Sequence, residues 1–219
     1  MRNILNVFKV DTLSTKQLSN LLVLVLYVVD FISGLLSENV VMLPVLFFAE
    51  STFLVGLIFI TEERYGLNKL LGSFSIKRRD IVRGRYVFSI WNGLLMMVLC
   101  LSVIYILYCL VDPFFEIKTM LFIFCIGFLL YSFVISIQIP LYFKYSASST
   151  KLILLIPLLI FILAIPLLNS LDVQAFIARL FLCMWDNTAY EILFTAVISA
   201  FLLFLSYFIS CRLYNNLDL

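Results

Sequence analysis

The sequence predicts an all-α protein that crosses a membrane six times, and three observations support this fold class. The 219 residues are 64% hydrophobic and only 13% charged, whereas a soluble domain has about 25% charged residues. The mean hydropathy is +1.14. The apolar residues form runs of about 17–25 residues, the length at which a helix crosses a hydrocarbon core of roughly 30 Å. We therefore expect residues 1–219 to form a single transmembrane domain.

The first 17 residues are expected to form an amphipathic helix on the membrane surface. Met1, Ile4, Leu5 and Phe8 recur at helical spacing, which gives the segment one apolar face. A frayed polar tail fits the same residues and is the alternative.

Six apolar segments follow, and each is expected to form one spanning helix. Helices are required because backbone groups in lipid must form hydrogen bonds within their own segment. Runs such as LLVLVLYVV are apolar on every face, which excludes the alternating strands of a barrel. The predicted spans are Leu18–Leu36, Val40–Ile60, Val87–Val111, Met120–Phe143, Leu152–Leu168 and Ile192–Cys211, so residues 18–60, 87–143 and 152–211 each hold two.

The connection before the last span, near residues 172–185, predicts a further helix on the outer surface. Phe176, Arg179 and Trp185 combine apolar and interfacial side chains there. An interfacial anchor and a gate at the outer end of a transport path are the two roles considered.

Lys and Arg residues are distributed unevenly between the two sides of this topology. If both termini lie on one side, that side holds thirteen of the fifteen Lys and Arg residues, and the other side keeps only Lys118 and Arg179. By the positive-inside rule, both termini are expected to be cytoplasmic, in a multi-pass protein of the cell membrane.

Residues 61–86, TEERYGLNKLLGSFSIKRRDIVRGRY, connect the second and third spans and hold ten of the 28 charged residues. Four apolar residues in this segment follow the i, i+3, i+4, i+7 pattern, which predicts a helix with one apolar face. They are Leu67, Leu70, Leu71 and Phe74.

The charges of this segment are expected to stabilise its helix ends. Glu62 and Glu63 are expected at the start of the apolar helix, and Asp80 is expected to cap a second helix that enters the third span. A basic loop on anionic lipid headgroups is the alternative. It explains the cations but neither the paired glutamates nor the apolar face.

The segment resembles the cytoplasmic segment of membrane subunits of the type-2 ABC exporter superfamily. It is most similar to small six-span bacterial permeases such as the phenol-soluble modulin exporter group. That family usually carries a proline where this chain has Ser75. The matching residues are Glu62, Glu63, Leu70, Leu71, Ser73, Ile76, Arg78, Ile81, Val82, Gly84 and Tyr86.

The resemblance implies that residues 61–86 form a coupling segment that docks on a cytosolic ABC ATPase. It also implies a second permease subunit, as a homodimer or heterodimer, and ATP-driven export of an amphipathic or lipophilic substrate such as a toxin, antimicrobial peptide or modulin. ATP and Mg²⁺ would be bound by the ATPase, because this chain has no G-x-x-x-x-G-K-[ST] loop. The residues implied in ATPase coupling are Glu62, Glu63, Leu67, Leu70, Leu71, Phe74, Arg78 and Arg79.

Two carboxylates lie inside predicted spans. A charged residue at the centre of a span costs about 2.5–3.5 kcal/mol, so such groups normally face a bundle interior or a wet cavity. Glu50 either lines a substrate path or makes a polar contact between helices, with Asn92, Gln138 and Ser51 as candidate partners. For Asp30 a contact between helices is favoured over a place in the path.

Other classes of function fit the sequence less well. A Glu-Glu pair followed by Arg also occurs in CAAX-type intramembrane proteases, but Leu67 stands at the arginine position and the chain has no His. No catalytic residue, cofactor, metal site or nucleic-acid partner is expected, and the five cysteines form no CxxC pair. An immunity, assembly or channel-like membrane protein without nucleotide coupling is the remaining alternative.

Overall fold

The computed structural model describes residues 6–13, 42–65, 77–110, 117–145 and 188–215, together with the single positions or short stretches 25, 27–29, 32, 153 and 159. All regular secondary structure within these residues is helical. Residues 6–13 form the N-terminal helix. The four long helices are α1 (Met42–Tyr65), α2 (Arg78–Leu110), α3 (Ile117–Lys144) and α4 (Thr188–Asn215).

Four of the six predicted spans coincide with these helices. By length and composition, three helices within the described ranges suit a membrane crossing: Arg78–Ile106, Phe124–Lys144 and Tyr190–Asn215. The second predicted span corresponds to α1, whose apolar part, Leu46–Thr61, is shorter.

The remaining predictions fall mostly or entirely outside the described residues. The fifth span is described only at 153 and 159, and the outer helix near 172–185 is not described. The first span is described at five positions, all helical. One of them, Tyr27, lies 6.4 Å from Phe47 of α1 between ring centroids, and its hydroxyl is 3.4 Å from that of Ser102 of α2.

Helices α3 and α4 run parallel, in a constant register of about 70 residues. The Ser206 hydroxyl donates to the carbonyl of Ser136 at 2.7 Å, and the rings of Phe143 and Tyr214 lie 5.0 Å apart nearer the C-terminal ends. This pair forms the most extensive helix–helix contact in the described part of the chain.

The other two long helices are placed by contacts of the same kind. Helix α1 is parallel to α3, because Phe48 lies beside Phe124 and Phe59 beside Tyr142. Helix α2 is antiparallel to α1 and α4. One end of the bundle, which we call the basic end, is therefore marked by Tyr65, Arg78, Lys144 and Asn215.

The core is packed through close helix contacts rather than through the hydrophobic effect alone. In lipid, apolar burial gives little drive for helix association, so packing and hydrogen bonds between helices decide it. Gly93 of α2 illustrates this, because an added Cβ would lie 2.5 Å from Cε1 of Tyr131 on α3. The glycine lets the fully buried Tyr131 donate from its hydroxyl to the carbonyl of Ser89 at 2.5 Å.

Helices α2 and α4 also present broad apolar faces that no described residue covers. On α4, Leu193, Phe201 and Phe204 are each about 60% exposed, and on α2 Trp91 and Val98 are exposed to a similar extent. A helix that is apolar all round belongs in a membrane or a large protein core. These faces therefore suit contact with lipid.

Candidate functional site

The start of α2 belongs to the predicted coupling segment, residues 61–86, and the structure shows how this helix begins. The carbonyl of Lys77 accepts hydrogen bonds from the backbone N–H groups of Asp80 at 2.8 Å and Ile81 at 3.3 Å, so Lys77 occupies the capping position. The expectation that Asp80 is the cap is therefore wrong. Asp80 lies in the first helical turn, where a carboxylate is still favourable, and its Oδ1 is 3.8 Å from Nη1 of Arg83.

Glu62 and Glu63 lie in the last turns of α1 and not at the start of a following helix. The physical reason is local sequence. Glu and Arg favour helix interiors, so α1 continues through these residues. The predicted coupling role of the two glutamates stays a prediction, because their side chains lie outside the described set. The ridge of Leu67, Leu70, Leu71 and Phe74 lies wholly outside the described residues.

The two arginines predicted for coupling have different environments. Arg78 is half-buried and its guanidinium donates to the last carbonyls of α4, at 3.3 Å to Tyr214 and 2.9 Å to Asn215. Basic side chains near a helix C-terminus commonly donate to its last carbonyls in this way. Arg79 is exposed. Arg78 thus connects the start of α2 to the end of α4, whereas Arg79 is available at the surface.

A buried group of hydroxyls connects the same two helices about two turns further along α2. The Tyr86 hydroxyl lies 2.5 Å from the hydroxyl of Ser206 and 2.9 Å from that of Ser210. On the outside of this group, Nε of Arg83 donates to the Tyr207 hydroxyl at 2.9 Å. The sequence motif containing Gly84 and Tyr86 is therefore an internal attachment point and not an exposed docking surface.

The sequence places Arg85 among the cytoplasmic cations, but its side chain is buried. Its Nη1 lies 3.3 Å from Oδ1 of Asp11 on the N-terminal helix, and both side chains are only 2% exposed. The guanidinium carbon also lies 5.0 Å from the ring centroid of Phe59 on α1. One sequence signal was present, since Arg85 follows the buried Ile81 at the i+4 position and so shares its helix face.

The N-terminal helix packs against the bundle. Val7 is fully buried, and the ring centroids of Phe8 and Phe88 lie 6.1 Å apart. Residues 6–13 are thus not a frayed tail. Their predicted position on the membrane surface stays a prediction, and Met1, Ile4 and Leu5 lie outside the described residues.

A second polar group lies deeper in the bundle, beside Glu50. The Asn92 amide donates to the carbonyl of Ser51 at 3.0 Å and to its hydroxyl at 2.9 Å. The Gln138 amide donates to the carbonyl of Thr52 at 3.4 Å and to the Tyr142 hydroxyl at 3.1 Å. Both amides were candidate partners of Glu50, and both reach the two residues that follow it. Glu50 itself is half-buried, and Asp30 is not described.

The cysteines and the possible metal ligands are the remaining candidates for a reactive site among the described residues. No group of three His, Cys, Asp or Glu residues there is arranged to hold a metal ion. Cys100 and Cys125 are buried, and Cys211 is half-buried. The hydrogen bonds and the buried ion pair described above connect helices to one another.

Together these features define a helical membrane protein in which the start of one apolar helix is fastened to its neighbours at one end of the bundle. A family model described as "ABC-2 family transporter protein" matches residues 6–215, almost the full length, and the chain belongs to this family. It is therefore a membrane subunit of an ABC transporter, from a family of transport subunits that generally are not catalytic and that work with ABC ATPases. No curated protein and no solved structure matches the chain.

The family match confirms the resemblance to the type-2 ABC superfamily. It leaves the narrower resemblance to the phenol-soluble modulin exporter group as a prediction.

Proposed function

We propose that this chain is the permease subunit of an ATP-driven exporter of amphipathic peptides. Two permease subunits would work with two cytosolic ABC ATPases, which bind ATP and Mg²⁺. Family membership supports the transport role and the ATPase partners. The peptide substrate, the outward direction and the pairing of permeases are our proposal.

The observation that carries the proposal is the attachment of the start of α2. Within about two helical turns, Arg78 bonds to the end of α4, Arg85 to the N-terminal helix, and Tyr86 to α4 again. These residues lie in the C-terminal part of the coupling segment. A displacement of the start of α2 by an ATPase would therefore be passed directly to α4 and to the N-terminal helix.

The direction of the chain supports a cytoplasmic position for the basic end. The N-terminal helix and the end of α4 both contact the start of α2, so both lie at this end. The positive-inside rule assigns such an end to the cytoplasm of a cell-membrane protein. Exposed cations at this end are Lys9, Lys77, Arg79, Arg83, Lys144 and Arg212.

Helix directions also support the six-span topology. Because α3 and α4 are parallel, the chain between Lys144 and Thr188 must return to the end of the bundle at which α3 begins. The predicted fifth span, Leu152–Leu168, would supply that return. The first span would supply the corresponding crossing between the N-terminal helix and α1.

Glu50 is the residue we propose for contact with the substrate. Its carboxylate would meet a cationic group of an amphipathic peptide, while the apolar side chains of neighbouring spans meet the peptide's other face. The proposal includes two further assignments, both to residues outside the described set. Asp30 would line the substrate path, and an outer gate would be formed by Phe176, Arg179 and Trp185.

The coupling proposal is tested by charge substitutions on the apolar ridge. Leu70→Asp and Phe74→Asp should lower the amount of ATPase that co-purifies with the permease by at least about tenfold, because a docked apolar ridge excludes water and a carboxylate there loses its hydration. Insertion into the membrane should be unchanged.

Leu13→Asp is the matched control for this experiment. Leu13 is an exposed leucine of the N-terminal helix, so the substitution adds the same charge at the same end of the bundle. Full recovery of ATPase with the two ridge variants would contradict the coupling role of residues 61–86. Failure of the native chain to recover any ATPase would instead favour an immunity, assembly or channel-like protein.

A further inference from the structure

The buried ion pair between Asp11 and Arg85 needs an explanation beyond stability. Removing a carboxylate and a guanidinium from water carries a large desolvation cost, and apolar side chains of the same volume often stabilise a fold equally well. A buried pair is therefore weak evidence for a stabilising role. Its best-attested use is to fix the register between two elements.

The pair lies where three helices meet. Arg85 lies on α2, Asp11 on the N-terminal helix, and the guanidinium also covers the Phe59 ring of α1. Phe59 in turn stacks on Tyr142 of α3, with 4.4 Å between centroids and 10° between planes. One side chain thus connects three elements directly and reaches a fourth through an aromatic stack.

The apolar contacts of the N-terminal helix do not define its register by themselves. Val7 and Asp11 are one turn apart on the buried face, and Phe8 packs at the side of Phe88 in a tilted arrangement. Apolar contacts are non-directional and would tolerate a slip of the helix. A charge pair at 3.3 Å would not, because a slip of one turn would separate the carboxylate from the guanidinium.

We infer that Asp11 is a positioning residue: through Arg85 it fixes the N-terminal helix, the end of α1 and the start of α2 as one unit that moves together. The inference rests on the proposed function, since Arg85 belongs to the segment that an ATPase would displace. The N-terminal helix is then part of the coupling apparatus and not only an anchor on the lipid surface.

The docked position of the helix is measured with an introduced cysteine and a maleimide mass tag. Val7→Cys reports on docking because Val7 is fully buried, and Leu13→Cys is its matched control because Leu13 is 66% exposed on the same helix. The full chain is labelled in membranes with its co-expressed ATPase, and the chain without an introduced cysteine gives the background. The native helix should protect Cys at position 7 and expose it at position 13.

Breaking the pair should release the helix, and exchanging the charges should restore it. Asp11→Asn or Arg85→Gln should raise the labelling rate of the Val7→Cys chain by about tenfold, since each removes the 3.3 Å ion pair that fixes the register of the helix. The double exchange D11R/R85D should return the rate to that of the native pair. Labelling of the Leu13→Cys chain should stay constant throughout.

The second measurement is ATP turnover per co-purified ATPase, with ATP alone as the probe. Asp11→Asn should lower turnover about tenfold without lowering the amount of ATPase recovered, because the docking ridge is intact while the unit behind it is loosened. The charge exchange should restore turnover. Lys9→Gln, which removes an exposed charge from the N-terminal helix, is the control and should have little effect.

An apolar pair separates positioning from stability. D11L/R85M should fold with an unchanged melting temperature and still leave the cysteine at position 7 open to labelling. Protection in this variant, or in Asp11→Asn, would overturn the inference. Increased labelling with unchanged ATP turnover would overturn it as well, and so would an exchanged pair that folds but stays undocked. A native chain that recovers no ATPase would instead overturn the proposed function, and that result appears before any variant is made.

Discussion

Asn92 and Gln138 show how polar side chains are accommodated inside this bundle. Each amide donates to a backbone carbonyl of α1, at consecutive positions 51 and 52. Those carbonyls already accept helical hydrogen bonds, and their second lone pair receives the side chain. The polar side chains next to Glu50 in the bundle are therefore held by contacts between helices.

Substitution of Glu50 tests whether its carboxylate contacts a substrate. Glu50→Gln should raise the concentration of a cationic amphipathic peptide needed for half-maximal ATPase stimulation by about tenfold, the loss of one charged hydrogen bond. The measurement uses the permease–ATPase complex in reconstituted vesicles. A neutral peptide of the same length is the control and should be unaffected. Identical responses to the cationic peptide in both proteins would exclude a role in the path.

The sequence could identify Asn92, Gln138 and Ser51 as polar residues that need partners, because amides and hydroxyls in apolar runs are conspicuous. It could not pair them, since pairing depends on which helices touch. The burial of Arg85 was still harder to predict from the sequence. It lies in a block of cations with Arg78, Arg79 and Arg83, so the local composition indicated a solvated side chain. Only its i+4 spacing from Ile81 indicated a buried one.

The long helices were predictable because runs of apolar residues have few other structures in a membrane. Their ends were less predictable. Helix α2 begins at Arg78, well before the first residue of the predicted span at Val87, and α1 continues to Tyr65 beyond Ile60. Hydropathy marks where lipid ends, whereas helices continue through Arg, Glu and Lys until a residue such as glycine stops them.

The close approach of α2 and α3 depends on Gly93. Gly93→Ala should lower the free energy of unfolding by about 1–3 kcal/mol, because the new Cβ would displace the Tyr131 ring and weaken its hydrogen bond to Ser89. Denaturant unfolding in detergent measures the change. Val98→Ala on the exposed face of α2 is the control, with an expected change within about 0.5 kcal/mol. Equal stability of the Gly93→Ala and native proteins would show that the two helices can separate without cost.

The directions of the four long helices predict which helix ends are accessible from outside the cell. A membrane-impermeant maleimide should label cysteines introduced at Lys9, Lys144 and Asn215 only after the membrane is permeabilised, because all three lie at the basic end. A cysteine at Lys118, near the start of α3 at the opposite end, should be labelled in intact cells. Labelling at Lys144 in intact cells would reverse the topology.

The parallel direction of α1, α3 and α4 has an electrostatic consequence. Among the four long helices, the C-termini of α1, α3 and α4, each equivalent to roughly half a negative charge, lie at the basic end, and the N-terminus of the antiparallel α2 offsets only one of them. Lys144 and Arg212 lie in the last turns of α3 and α4, and Arg78 bonds to the final carbonyls of α4. The basic residues beside these helix ends therefore also reduce the negative field that the C-termini of α1, α3 and α4 create together.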